Sequence, residues 1–162
     1  MCKSISYHTA GGGNKNLHAS RVAKQDEFYT LFETVNEELK HYKQHFKDKI
    51  VFCNCDDPEY SNFYLYFKIN FSHLGLKKLI TTHFVSDKPS YKLVITEYTE
   101  NDPPRETLLQ NGDFRSDECK ALLKECDIVT TNPPFSLMKE YLPLLVSSGN
   151  VEYCEEDLTI LC

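Results

Sequence analysis

Residues 126–136 read CDIVTTNPPFS, and the fold turns on what that stretch is. Cys126 to Val129 is a short apolar run of the kind that forms a strand buried on both faces. Pro133 and Pro134 stop it, because proline cannot donate to a ladder and disfavours a helical residue before it. Leu137-Met-Lys-Glu-Tyr-Leu-Pro143 then reads as a helix. The two prolines make the intervening loop stiff and hold Asn132 and Phe135 in fixed relative positions. A rigid turn would account for Asn132, since Asn suits turns. The competing reading is a site that grips a planar, amino-bearing ring.

The same strand–loop–helix rhythm extends upstream. Lys24 to Thr30 is a polar-aromatic segment opening a helix that is expected to run to about Phe46, with Leu39, Tyr42 and Phe46 at helical spacing. Ile50-Val-Phe-Cys-Asn-Cys55 reads as a buried parallel strand that stops at Asp56-Asp57-Pro58. Ser61 and Asn62 are good caps for a helix carrying Phe63, Tyr66, Phe67 and Phe71, and Gly75 closes it. Leu79 to Phe84 is a second strand. Tyr91 to Tyr98 is a third, with a hairpin-like partner after Asn101-Asp-Pro-Pro104. A turn at Asn111 to Phe114 and a helix from Ser116 to Lys124 lead back to the opening stretch. Strands alternating with helices across short polar loops predict an α/β sheet.

Bulk properties narrow the class. The 162 residues suit one domain with a real core. No apolar run approaches membrane-spanning length, and the glycine-containing N-terminus lacks the apolar region of a signal peptide. Seven cysteines, an odd count, fit reduced thiols and a cytoplasmic location. Cys53 and Cys55, placed on opposite faces of a strand, read as buried small side chains that cannot both face one metal, and without CxxC pairs no zinc is expected. A formal charge of −6 argues against nucleic-acid binding by net charge alone. The lysines of Lys40 to Lys49 are expected to solvate a helix face, and His41, His45 and His83 to be surface or packing residues.

In open α/β sheets ligands bind beyond the carboxyl ends of the strands. Three polar groups fall at such ends: Asp56-Asp57-Pro58, Asp113-Phe114 and Asn132-Pro-Pro-Phe135. Asp57 and Asp113 are expected to be functional, Asp56 a solvated partner or cap. Asn132 and the Pro133 carbonyl offer two acceptors beside an aromatic face. Such a pair can hold both hydrogens of an exocyclic amine, letting its nitrogen pyramidalise and turn its lone pair on an electrophilic carbon. Phe135 can stack on the ring and keep the geometry near attack.

At this point the residues resemble a known family. DEFYT (26–30), ELKHYKQHFKDKIVFCNCDDPEYSNF (38–63), LGLKKLITT (74–82), NGDFRS (111–116) and TNPPFS (131–136) are similar, in order, to segments of S-adenosylmethionine-dependent amino-group DNA methyltransferases of the EcoRI type, which are adenine-specific. The resemblance implies a Rossmann-like methyltransferase fold, S-adenosylmethionine as donor and double-stranded DNA as partner. It assigns Phe28, Tyr29 and Thr30 to the donor's methionine end, and Asp57 and Pro58 to its amino acid part. It places Asp113 and Phe114 against the donor's adenine, and Asn132, Pro133, Pro134 and Phe135 in the catalytic loop. Two departures stand out. Glu59-Tyr-Ser-Asn62 replaces the usual glycine-rich turn, and Thr82-His83-Phe84 offers no carboxylate for the ribose.

The resulting expectation has three parts: a flexible arm over residues 1–23, a partial methyltransferase domain with an incomplete sheet over 24–145, and an atypical tail over 146–162. The function expected is methylation of adenine N6 at specific DNA sites, in the manner of a restriction-modification methylase. The other class is a non-catalytic remnant that keeps the fold and acts as a donor-binding or interaction module.

Overall fold

The computed structural model describes residues 31–86, 89–131 and 133–148, with Phe135 in backbone only. Phe28, Tyr29, Thr30, Asn132, the side chain of Phe135, the 1–23 arm and the tail beyond 148 lie outside the described residues. The described chain runs α1 (Phe32–Leu39), a 3-10 segment (Lys40–His45), β1 (Ile50–Cys53), α2 (Asn62–Ile69), α3 (Phe71–Leu74), β2 (Lys78–Thr82), β3 (Tyr91–Ile95), β4 (Glu106–Thr107), α4 (Asp117–Glu125), β5 (Ile128–Val129), a second 3-10 turn (Phe135–Leu137) and α5 (Met138–Ser147).

The strands form one sheet in the order β4-β3-β2-β1-β5. β1 pairs in parallel with both β2 and β5, while β3 runs antiparallel to β2 and to β4. β4 therefore points the same way as β1, β2 and β5, and the hairpin partner expected after Pro104 is β4. Side chains alternate across the sheet with period two. Val51, Cys53, Leu79, Leu93, Ile95 and Ile128 face a core built with α1, α2 and α3. Ile50, Phe52, Ile80 and Val129 face a second core built with α4 and α5. Both faces of the sheet are covered, which is why IVFC reads as unbroken apolar sequence.

Local chemistry sets the element ends. Ser61 caps α2, its hydroxyl accepting from the Tyr64 N–H at 3.1 Å. Ser116 caps α4 through the Cys119 N–H at 3.2 Å. Gly75, at φ 65°, closes α3 in the left-handed region that glycine adopts at no steric cost. The helix expected to continue to Phe46 tightens into a 3-10 segment at Lys40, as helix ends often do, and still delivers Leu39 and Phe46 fully buried. The helix expected over Phe63 to Phe71 breaks at Asn70 into α2 and α3. α5 runs on past Pro143, which costs it one internal hydrogen bond, and carries Val146 and Ser147.

One expectation needs correcting in its reason. β1 ends at Cys53, and Cys55 takes a left-handed φ of 65°. In a continuous strand, residues two apart would share a face. It is the left-handed turn that sends Cys55 toward the α4–α5 core while Cys53 stays in the other. Asp56 likewise is not solvated. It is buried, and its carboxylate accepts from the Ser61 hydroxyl at 2.8 Å. Ser61→Ala is therefore expected to remove a cap and one of the Asp56 donors together, at about 2 kcal/mol. Urea unfolding checks this, and a loss below about 0.5 kcal/mol would show that the hydroxyl matters little.

Candidate active site

β1 is the switch point of the sheet. The chain leaves it for β2 on one side and reaches β5 on the other, both parallel to it. Sheets of this kind open a crevice beyond the carboxyl ends at that point. The segments expected to carry chemistry arrive there from three directions.

Asn54, the first residue beyond β1, is a hub. It is fully buried, and its Oδ1 accepts from the Cys55 N–H at 3.1 Å and from the Thr82 hydroxyl, at the end of β2, at 3.3 Å. Its backbone carbonyl accepts a hydrogen bond from the Thr131 hydroxyl, at the start of the TNPPFS loop. The Thr81 hydroxyl donates to the Asp56 carbonyl at 3.0 Å. The ends of β1, β2 and β5 are thus laced together by side chains rather than by the sheet ladder.

Asp57 is a third exposed at this end and shapes the turn into α2. Its Oδ1 accepts from the Glu59 N–H at 3.0 Å, and its carbonyl accepts from the N–H groups of Tyr60 and Ser61. That turn, with Pro58, stands where a glycine-rich one was absent from the sequence. His83 Nε2 lies 3.6 Å from Asp57 Oδ2, while His83 Nδ1 and the Ser90 hydroxyl are 2.9 Å apart. The ring stacks on Tyr91 at 4.8 Å and 12°, and the Arg105 guanidinium lies over Tyr91 at 4.3 Å. His83 is therefore packed, as expected, but it also places an imidazole edge beside Asp57.

Asp113 comes from the loop after β4. Gly112, at φ 78°, passes so close to the end of β2 that a Cβ there would fall 2.0 Å from the His83 carbonyl oxygen. Only glycine fits this approach. Arg115 grips the Asp113 carboxylate with Nε at 2.9 Å and Nη2 at 2.7 Å, and its Nη1 reaches Glu140 of α5 at 2.9 Å. Phe114 is buried and meets Tyr141 edge-on at 4.9 Å and 87°. The acidic–aromatic pair thus lies at the expected end of the sheet, with the carboxylate held by Arg115 and the ring inside the α4–α5 core.

The Arg115 hydrogen bond holds Asp113 below the ordinary carboxylate value of 3.8. A depressed folded pKa contributes stability that is present above the unfolded value and is lost as pH falls through the folded one. Arg115→Gln is expected to cost about 0.5–1 kcal/mol at pH 7, small because the guanidinium is half exposed. The difference in urea midpoint should shrink as pH is taken below 3.8. A difference that holds constant into acid would assign the loss to packing alone.

Pro133 is buried, and the Pro134 carbonyl accepts from the Leu137 N–H at 2.9 Å, starting the turn into α5. Thr131 is tied to Asn54. Asn54 and Tyr141 carry no role in the sequence reading, and Thr82 enters it only as a position without a carboxylate. An Asn directly behind an apolar run was the one visible hint of the hub. Beyond the end of β1 stands a partly exposed carboxylate with an imidazole edge beside it, and the segment after β5 is tied to Asn54 by Thr131.

Residues 16–151 match the family described as adenine-specific methyltransferase EcoRI. The chain belongs to that family. It is 45% identical over 148 residues to the type II methyltransferase M.EcoRI of Escherichia coli, covering 82% of this chain and 45% of that protein. It is 44% identical over 133 residues to M.MpnI of Mycoplasma pneumoniae, covering 82% and 41% respectively. To M.MgeORF184P of Mycoplasma genitalium it is 39% identical over 131 residues, covering 81% and 40%. The chain spans less than half the length of these relatives. No solved structure matches it. The mixed sheet with helices on both faces accords with a methyltransferase fold.

Proposed function

We propose that this chain is the donor-binding and catalytic portion of a site-specific DNA methyltransferase. In this reading it moves a methyl group from S-adenosylmethionine to N6 of adenine in double-stranded DNA. The observation that carries the reading is the tie between Thr131 and Asn54, which fixes the start of the TNPPFS segment to the end of β1, three residues before Asp57. The type II methyltransferase names of the relatives support the same reaction class.

The crevice fits the donor in kind. Asp57 keeps exposed carboxylate surface for an ammonium group, with Pro58 beside it and His83 alongside for polar groups farther along. Asp113, though held by Arg115, receives only one hydrogen bond on its Oδ2 from the described residues, leaving acceptor capacity for an amino group. Phe28, Tyr29 and Thr30 would line the methionine end. S-adenosylmethionine supplies an electrophilic methyl group on a sulfonium.

The chain's own residues do the rest. A base inside a duplex cannot present N6, so the adenine is flipped from the stack and held on Phe135. Asn132 and the Pro133 carbonyl accept its two amino hydrogens, and Pro134 keeps the turn stiff. No basic side chain is needed, because the proton leaves to water after transfer. The reaction belongs in the cytoplasm, where DNA and the donor meet. No helix among the described residues is long and apolar enough to cross a membrane.

Titration calorimetry with S-adenosylmethionine tests the donor half of the reading. Asp57→Ala is expected to weaken binding by about 1.5–3 kcal/mol, the worth of a hydrogen bond to a charged group. Unchanged affinity would remove Asp57 from the site.

A further inference from the structure

Beneath the TNPPFS turn lie polar groups that the folded chain leaves unspent. The Tyr141 hydroxyl and the Asn54 side-chain nitrogen are buried, and neither makes a well-formed hydrogen bond among the described residues, although the hydroxyl lies within reach of Thr131 and Asn54. Both lie close to Thr131. Burial, with Cys55 and Asp56 nearby, pushes the Tyr141 hydroxyl well above its usual range, while Thr131 and Asn54 pull it the other way. The Tyr141 ring already packs edge-on against Phe114, and α5 is tied to the Asp113 turn through Arg115 and Glu140. Tyr141 thus stands between the turn that carries Asp113 and the turn that carries Asn132.

Buried polar groups without partners lower stability, and native structures keep few of them. A phenylalanine at 141 would fill the same space and meet Phe114 in the same way, with no unpaired hydroxyl. What the hydroxyl adds is a donor and an acceptor within reach of Thr131 and Asn54, at the base of the turn. We infer that Tyr141 is a positioning residue for that turn, its hydroxyl engaging Thr131 and the Asn54 amide when the donor is bound and fixing Asn132 for transfer. This rests on the methyltransferase reading above. It assigns no contact between Tyr141 and the substrate.

Tyr141→Phe separates this role from a structural one. Removing an unpaired hydroxyl should leave the melting temperature equal or higher, while donor affinity should fall about two- to tenfold, because bonds made only in the donor-bound state add to it. Amide exchange at Thr131 and Ser136 should slow at least fivefold on adding S-adenosylmethionine to the wild-type chain, and less than twofold in Tyr141→Phe. The kcat for methyl transfer should fall at least tenfold with KM for DNA unchanged. Equal slowing of exchange in both proteins, or kcat within twofold, overturns the inference while leaving the methyltransferase reading intact. A wild-type chain that does not bind the donor overturns both.

Discussion

Asn132→Ala is expected to lower methyl transfer by about 100- to 1000-fold, the range seen when one preorganised partner of a reacting group is removed. The amide's value lies in the transition state. In the ground state the amino group of adenine is flat, its lone pair spread into the ring. In the proposed clamp, as the nitrogen pyramidalises its hydrogens grow more acidic, and the bonds to Asn132 and the Pro133 carbonyl would strengthen. An interaction stronger in the transition state than in the ground state appears in kcat. Donor affinity and KM for DNA should therefore change little. A rise in KM at constant kcat would make Asn132 a simple binding residue.

Phe67→Ala is the substitution expected to damage the fold most. Phe67 is fully buried in α2, meeting Phe46 at 5.1 Å and 75° and Tyr66 at 5.3 Å and 85°. These rings join α2 to the segment that follows α1 and to the sheet. Truncating a buried phenylalanine costs about 3–5 kcal/mol, against a total of about 5–15 kcal/mol for a domain. The melting temperature should fall by about 10 °C or more. Phe67→Leu, which keeps most of the volume, should cost about 1–2 kcal/mol. If Phe67→Ala loses less than 1 kcal/mol by urea unfolding, the α1–α2 core is not what holds this side of the sheet.

Much of the fold was legible because it is written locally. The apolar runs IVFC and LITT, buried on both faces, announce themselves as parallel strands, and Ser61, Ser116 and Gly75 mark helix ends by chemistry that needs no distant partner. What stayed hidden depends on residues far apart in sequence. Asn54 is ordinary until Thr82 and Thr131, 28 and 77 positions away, close on it. Tyr141 reads as one apolar position of a helix until burial leaves its hydroxyl without a well-formed hydrogen bond among the described residues. Asp56 and Asp57 look alike in sequence, yet the Ser61 cap buries the first and the turn leaves the second partly open. His83 passes for a packing residue and is one, but the parallel pairing of β1 with β2 also brings it beside Asp57. The Arg115 clamp on Asp113 spans only two residues and is local in the same way as the helix caps.

In the proposed reaction the TNPPFS turn directs a donor methyl group to the amino nitrogen of adenine. Its most direct measurement supplies S-adenosylmethionine labelled in the methyl group, with duplex DNA, to the wild-type chain and to Asn132→Ala, and then digests the DNA to nucleosides. Label is expected in N6-methyladenine for the wild type and at a rate about 100- to 1000-fold lower for the variant, with equal donor affinity in both. Label on cytosine, equal label from the two proteins, or no label from a wild-type chain that binds donor and DNA would contradict it.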